Sequence, residues 1–308
     1  MTIAEPVVRV ANLRKVYGTK VAVDGVSFDV QPGEIFGVLG PNGAGKTTTV
    51  ETLAGLRTQD SGDVRVLGYD PQREPAQVRE VLGVQLQESQ LPKKLRVAEA
   101  LQLYAAFYAD PEDPEVLLSM LGLQDKRDTA YDDLSGGQKQ RLSIALALIG
   151  RPKVAILDEL TTGLDPQARR ETWAMVERVR DSGVSIILVT HFMDEAERLC
   201  DRLIVIDSGR VIAEGSPADL ASGGGRRSFR MQLPTGALSD LSILTDISAV
   251  SDAHWVGESI EVSGQDAALP EVIGALYERG IIPDEVHTGA RSLEEAFVAL
   301  VTGEEIRT

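Results

Sequence analysis

The sequence predicts an α/β fold with a largely parallel core sheet, followed by a small α+β domain. Three observations support this prediction. Short apolar runs at residues 35–39, 154–157 and 185–189 have the length and composition of strands that are buried on both faces. Segments with helical spacing of apolar side chains alternate with these runs. A glycine-rich stretch at residues 223–225 then precedes a region with its own alternating and helical patterns.

The individual strands and helices are predicted from the spacing of apolar side chains. Buried positions alternate in a half-exposed strand, whereas a helix repeats them every three or four residues. The pair Ser208-Gly209 between two apolar runs predicts a hairpin turn. In the first part of the chain we predict strands at residues 7–10, 26–30, 35–39, 154–157, 185–189, 203–206 and 211–213, and helices at residues 47–56, 97–108, 116–123, 142–149 and 169–180.

A second, smaller domain is predicted after a linker at residues 223–228. Alternating apolar side chains predict strands soon after this linker, and helical spacing predicts a final helix at residues 293–301. The predicted organisation is a main domain at residues 1–222 with a helical subdomain at about 91–150, the linker, and an α+β accessory domain at residues 229–308.

Composition and charge argue against several classes of protein. The chain has 308 residues and a net charge of −16, from 31 basic and 47 acidic side chains. A nucleic-acid-binding protein is expected to be basic, so we predict no nucleic-acid partner. The single cysteine, Cys200, excludes an internal disulfide and fits a reducing compartment. No run approaches the ~20 apolar residues that cross a bilayer, so we expect any action at a membrane to go through another chain.

A glycine-rich phosphate loop joins the first buried strand to the helix that follows it. Glycines let consecutive backbone N–H groups turn towards phosphate oxygens at a helix N-terminus. In such a loop the lysine bridges the β- and γ-phosphates, and the threonine hydroxyl binds Mg²⁺. The loop therefore predicts a site for a nucleoside triphosphate. Its residues are Gly40, Pro41, Asn42, Gly43, Ala44, Gly45, Lys46 and Thr47, and Thr48 continues it into the helix.

Two carboxylates follow the buried strand predicted at residues 154–157. Asp158, at a strand end beside a phosphate loop, suits Mg²⁺ binding, and Glu159 suits the polarisation of an attacking water. Alone, such a pair more often marks a solvated strand end. With the phosphate loop in the same sheet, the pair predicts a hydrolytic site.

A second glycine-rich stretch opens the helix predicted at residues 142–149. It consists of Ser135, Gly136, Gly137 and Gln138, preceded by Leu134. Serine is a favoured helix N-cap, so the short stretch alone predicts a capped helix start. The longer run LSGGQKQRL makes a second anion-binding helix start the better interpretation.

In their order and spacing, these motifs resemble those of the nucleotide-binding subunits of ATP-binding-cassette (ABC) transporters. The resemblance covers about residues 7–220. It implies a P-loop NTPase fold, with a RecA-like and mostly parallel sheet, an antiparallel β-subdomain and a helical signature subdomain. Four further positions take part in it, although none would indicate a function alone: Tyr17, Gln87, Asp165 and His191.

The resemblance implies a role for each of these four residues. Tyr17 is similar to the aromatic residue that stacks on adenine, and His191 to the histidine that contacts the γ-phosphate. Gln87 is similar to the glutamine that joins the core to the helical subdomain, and Gln85 in the same segment is the alternative. Asp165 belongs to a loop that crosses a dimer interface in the family. It can also cap the helix that follows.

The resemblance also implies ATP and Mg²⁺ as ligands and a head-to-tail dimer as the working assembly. Each ATP would lie between Lys46 and Thr47 of one copy and Ser135 and Gly137 of the other. A separate transmembrane permease is the implied partner, which would hold the chain on the cytoplasmic face of the cell membrane. The implied catalytic residues are Glu159, His191, Gln87 and Lys46, and the implied magnesium ligands are Thr47, Gln87 and Asp158.

Two features bear on the subfamily. Leu160 stands where the family usually has proline directly after the catalytic glutamate. The ending at residues 292–303 resembles that of drug- and antibiotic-efflux ATPases, so we expect an ATPase that powers export of a drug, an antibiotic or a lipid-like compound. The alternatives are an importer ATPase, a soluble ABC-type ATPase in translation or DNA repair, and an ATP-binding regulator without turnover. The soluble class usually has two cassettes or a long coiled-coil insertion, and Glu159 and His191 argue against the regulator.

Overall fold

The computed structural model describes residues 5–86, 91–221, 227–234, 236–238, 240–257, 259–265, 267–287 and 292–302. The chain divides into two compact units, Met1–Glu214 and Gly215–Thr308. The division lies before the linker predicted at residues 223–228. Residues 222–226 are outside the described part of the chain, and a strand begins at Arg227, so the end of the predicted linker belongs to a strand.

The first unit alternates strands and helices. Its strands are β1 (Val8–Tyr17), β2 (Lys20–Val30), β3 (Ile35–Leu39), β4 (Ser61–Val66), β5 (Leu82–Gln85), β6 (Val154–Asp158), β7 (Ser185–Thr190), β8 (Arg202–Asp207) and β9 (Arg210–Gly215). Its helices are α1 (Lys46–Leu53), α2 (Pro75–Val81), α3 (Val97–Ala105), α4 (Pro114–Met120), α5 (Gly136–Leu148), α6 (Pro166–Asp181) and α7 (Met193–Leu199).

A six-stranded sheet with the order β5-β6-β7-β3-β8-β9 forms the centre of this unit. The pairs from β5 to β8 are parallel, as the buried apolar runs predict. Strand β7 lies between β6 and β3, and the register pairs Asp158 with Val189 and Leu39 with Thr190. The loops that follow these three strands therefore begin side by side at one edge of the sheet.

A second sheet of the first unit is antiparallel, with the order β2-β1-β4. Its valines and leucines share one core with side chains of the central sheet and of α1, among them Leu13, Val26, Phe36, Val50 and Ile156. The rings of Phe28 and Phe36 stack across this core, with 5.2 Å between their centroids. The antiparallel sheet thus packs over the phosphate-loop helix.

Helices α3, α4 and α5 pack against one another and form the helical subdomain. Helix α5 also contacts β5, β6 and α6, so the subdomain is joined directly to the central sheet. Its buried residues are aliphatic, and Leu101, Leu118 and Leu142 are at most 1% exposed. These contacts fix the start of α5 relative to the central sheet.

The second unit is an α+β structure with its own core. Its strands β10 (Arg227–Gln232), β11 (Val250–Val256), β12 (Ser259–Gly264) and β13 (Glu285–His287) form an antiparallel sheet with the order β11-β12-β10-β13. Its helices are α8 (Pro217–Ala221), α9 (Ser242–Thr245), α10 (Ala268–Tyr277) and α11 (Leu293–Thr302). Met231, Ile260, Val262 and Val272 are fully buried in this core.

Candidate active site

The phosphate loop lies between β3 and α1, as the sequence predicts. Two of its glycines are required by close packing, because a Cβ atom on Gly40 would lie 2.1 Å from the carbonyl oxygen of Ile206 and one on Gly45 would lie 2.4 Å from that of Ala22. The Lys46 side chain is 6% exposed, and its Nζ donates hydrogen bonds to the carbonyl oxygens of Gly40 (2.7 Å) and Pro41 (3.1 Å). The ammonium group of Lys46 therefore lies at the centre of the loop.

Asp158 ends β6 beside this cation. It is 2% exposed, and its backbone N–H donates to Oε1 of Gln85 at 2.9 Å. Burial and, after it, the charge of Glu159 raise the pKa of Asp158 from 3.8 to about 6, although the charge of Lys46 opposes the rise. Burial likewise lowers the pKa of Lys46, against the charges of Glu159 and Asp158. Lys46 and Glu159 line the same cleft, and Asp158 directly precedes Glu159 in the chain.

Glu159 and His191 face each other across the neighbouring strands β6 and β7. Nδ1 of His191 lies 3.2 Å from Oε1 of Glu159. The Glu159 backbone adopts a left-handed conformation with a φ of 49°, and its N–H donates to the carbonyl oxygen of Val189 at 2.9 Å. A glutamate in this region is held there by its surroundings, a feature common at functional sites. Leu160, which replaces the usual proline, is buried.

Lys46, Glu159 and His191 open into one cleft of about 500 Å³, whereas Asp158 does not line it. Two of its lining residues, Lys20 and Ala22 on β2, were missed by the sequence analysis. The hairpin signal Tyr17-Gly18-Thr19 could have identified Lys20, which pairs with Tyr17 across the turn. The cleft is lined by Tyr17, Lys20, Ala22, Asn42, Gly43, Gly45, Lys46, Thr47, Thr48, Glu159 and His191.

Tyr17 lies at the rim of the cleft, where its side chain is 40% exposed. Two cations flank its ring, with Nζ of Lys15 at 5.3 Å and Cζ of Arg57 at 5.6 Å from the centroid. A half-exposed aromatic ring at the mouth of a polar cleft can stack on a flat heterocycle. The position of Tyr17 is therefore compatible with the adenine contact that the resemblance implies.

The second glycine-rich stretch lies elsewhere. Ser135 caps α5: its Oγ accepts from the Gln138 N–H at 3.3 Å, and the Gln138 side chain accepts from the Ser135 N–H at 3.0 Å. Cβ atoms added to Gly136 and Gly137 would come no nearer than 3.6 Å to a neighbour. None of these four residues lines the cleft of the same molecule.

The other two predicted positions are Asp165 and the glutamine expected at position 87 or 85. Asp165 caps α6, since its Oδ1 accepts from the N–H groups of Gln167 (3.0 Å) and Ala168 (2.9 Å). Gln87 lies outside the described residues. The alternative, Gln85, is 3% exposed; besides its bond to Asp158 it donates to the Leu86 carbonyl oxygen at 2.9 Å. Both ends of the Gln85 amide are thus engaged within the chain.

Among the residues that the structure describes, no helix has the length and apolar character needed to span a membrane.

Comparison with known proteins identifies relatives of this chain. The model of the family described as "ABC transporter" matches residues 23–162. The Nod factor export ATP-binding protein I of Cupriavidus metallidurans is 46% identical over 220 residues, which cover 70% of this chain and 72% of that protein.

Solved structures give the same result for the fold. A subunit from Clostridium perfringens, described as part of the ABC transporter complex cbiONQ, is 30% identical with a TM-score of 0.65; the match covers 71% of this chain and 92% of that one. Another, described as the ATP binding subunit of an ABC transporter, is 29% identical with a TM-score of 0.64, covering 71% and 93%. The family resemblance and the fold class predicted from the motifs are both confirmed.

Proposed function

The chain belongs to the ABC transporter family, whose ATP-binding subunits are ATPases, and we propose that it powers a separate membrane permease by hydrolysing ATP between two copies of itself. The observation that carries this proposal is the meeting of Lys46, Glu159 and His191 in one cleft at one end of a parallel sheet, where Asp158 ends β6. Ligands of open α/β sheets bind at this end of the strands.

The proposed reaction is an in-line attack of water on the γ-phosphorus of ATP, with ADP as the leaving group. The buried cation of Lys46 stabilises negative charge on the phosphates. Glu159 accepts a hydrogen bond from the attacking water and orients it. His191, held by Glu159 at 3.2 Å, donates to the γ-phosphate.

The chain's residues fit a magnesium ion at the cleft. The hydroxyl of Thr47 lines the cleft, and Asp158 supplies a buried carboxylate whose pKa is raised by burial, as expected where a cation is to compensate its charge. Gln87 is the third proposed ligand. Bound there, Mg²⁺ neutralises charge on the β- and γ-phosphate oxygens.

A second copy is proposed because the second anion-binding stretch does not reach the cleft of its own molecule. The start of α5 presents the N–H groups of Gly136 and Gly137, and a Cβ atom on either glycine would meet its nearest neighbour at ordinary van der Waals distance. Such a helix start suits a γ-phosphate held by another molecule. In the proposed head-to-tail dimer, Ser135 and Gly137 of one copy close the ATP site of the other, with Asp165 at the interface.

Transport is proposed to go through a permease bound at the helical subdomain. Leu103 and Phe107 of this subdomain are 50% and 75% exposed, and large exposed apolar side chains favour a protein contact. Export is the proposed direction, because the relatives' names concern Nod factor export. A drug, an antibiotic or a lipid-like compound is the proposed cargo, from the resemblance of residues 292–303. The permease would hold the chain on the cytoplasmic face of the cell membrane.

The Glu159→Gln variant tests the assignment of catalysis. We expect phosphate release to fall by about 100-fold or more, because an amide no longer accepts the proton of water as a carboxylate does. ATP affinity should stay within about threefold, since Lys46 and the loop are intact. The control is Glu177→Gln on α6, which removes a carboxylate paired with Arg198 outside the cleft. Phosphate release from Glu159→Gln at the original rate would make the assignment wrong.

A further inference from the structure

A carboxyl group that the proposed reaction does not use is buried four residues after His191 in the chain. Glu195, in the first turn of α7, has no solvent-exposed surface. Its Oε1 accepts a hydrogen bond from Nε1 of Trp173, on α6, at 3.2 Å. Its Oε2 has no hydrogen-bond partner among the residues that the structure describes. Burial of a carboxyl costs free energy, so a position that keeps one calls for an explanation.

Two threonines from the catalytic loops border this carboxyl. Thr190 directly precedes His191, and Thr161 lies two residues after Glu159. Burial raises the pKa of Glu195, and the nearby hydroxyls of Thr190 and Thr161 oppose that rise. The hydroxyl oxygen of Thr161, like Oε2 of Glu195, has no hydrogen-bond partner among the described residues. Thr190 Oγ1 accepts from the Phe192 N–H at 3.0 Å, which leaves its hydroxyl proton available for Glu195.

A second contact holds the same loop from the solvent side. Arg169 on α6 donates to Oδ2 of Asp194 at 2.9 Å, and its guanidinium lies 4.9 Å from the centroid of the Phe192 ring. That ring in turn lies 4.1 Å from the His191 ring. Helix α6 therefore holds the His191 loop at two points, one exposed and one buried.

We propose that Glu195 is a positioning residue for ATP hydrolysis, because its carboxyl joins the segment that follows His191 to helix α6 and lies beside threonines of the loops that carry Glu159 and His191. The inference rests on the proposed function, in which Glu159 and His191 act as a pair. Their 3.2 Å contact depends on two separate loops keeping a fixed distance. A displacement of about 1 Å of a reacting group can cost on the order of 100-fold in rate. A buried hydrogen-bonded group at the junction of both loops limits such displacement.

The kinetic test compares Glu195→Ala with Glu195→Gln. We expect Glu195→Ala to lower kcat by about tenfold or more with the KM for ATP unchanged within about twofold, because the nucleotide-binding loop is not touched. Glu195→Gln should recover kcat to within about threefold of the original protein, since an amide oxygen can still accept from Trp173. An unchanged kcat in Glu195→Ala, or a Gln variant as slow as the Ala variant, would overturn the proposal.

A spectroscopic readout separates positioning from a general loss of structure. The chain has three histidines, so their imidazole proton resonances can be followed by NMR and assigned with single His→Gln variants. We expect Glu195→Ala to shift the His191 resonance and to leave those of His254 and His287, in the second unit, in place. An unmoved His191 resonance contradicts the inference. This measurement needs no turnover, so it stays readable even if the assignment of Glu159 to catalysis fails.

If Glu195→Ala does not fold, Trp173→Phe tests the same link. It removes the indole donor to Glu195 and keeps a smaller aromatic ring at this position. We expect a smaller fall in kcat, about threefold to tenfold, together with a shift of the His191 resonance. If neither quantity changes in Trp173→Phe, the link to α6 does not position His191.

Discussion

At the scale of single residues, neighbouring polar side chains of similar type have different surroundings. Asp158 and Glu159 are adjacent, yet Asp158 is buried at the end of β6, whereas Glu159 has a left-handed backbone and contacts His191. The side-chain oxygen of Gln85 accepts a hydrogen bond from the backbone N–H of Asp158. The sequence identified both carboxylates, because they follow a buried strand in a chain that also has the phosphate loop. It left Gln85 and Gln87 as alternatives, because the direction of a side chain at a strand end depends on register.

The two glutamines lead to a prediction at this scale. Gln85→Leu leaves the buried N–H of Asp158 without an acceptor, so we expect the free energy of unfolding to fall by about 1–3 kcal/mol. Gln87→Leu should leave the free energy of unfolding nearly unchanged and lower kcat instead, if Gln87 is the catalytic glutamine. Urea unfolding and phosphate release measure the two effects. The interpretation fails if Gln85→Leu is fully stable, or if Gln87→Leu keeps its full kcat.

At the scale of elements, the strands and turns that could be predicted are those that the spacing of nearby residues determines. Strands β6 and β7 are continuous apolar runs, since both faces are buried, and the β8–β9 turn is given by Ser208-Gly209, whose φ angles of 48° and 81° suit a tight hairpin. Strand β4 was not predicted. It begins Ser-Gly, buries only Val64 and Val66, and is held by pairing with the distant β1, which no local pattern reveals.

Helix α6 provides the prediction at this scale. Asp165 accepts two N–H bonds at its start, so Asp165→Ala should lower the free energy of unfolding by about 1 kcal/mol. Asp165→Asn is the matched control, because asparagine caps a helix about as well as aspartate. If Asp165 also acts at the proposed interface, the Asn variant keeps its stability and loses ATP-dependent dimer formation. Equal stability of the Ala and Asn variants would mean that the cap contributes nothing.

At the scale of the whole molecule, the two glycine-rich stretches have different places in one chain. The first surrounds Lys46 inside the cleft, and the second opens α5, away from that cleft. Local pattern predicted both stretches and could not predict their separation, which results from long-range packing of the helical subdomain on the sheet. The predicted domain boundaries and the roles assigned to the site residues remain predictions. The separation of the two stretches supports an ATP site that is shared between two copies of the chain.

The mass of the protein in solution with ATP tests this central claim most directly. Glu159→Gln, which holds ATP without turnover in our account, should sediment with ATP at twice the chain mass of 33.2 kDa. Adding Ser135→Arg to the same chain should keep ATP bound and return the mass to that of one chain, because the arginine obstructs the partner's γ-phosphate. A Ser135→Arg variant that still forms the ATP-dependent dimer, or a monomer that hydrolyses ATP at the full rate, would contradict the account.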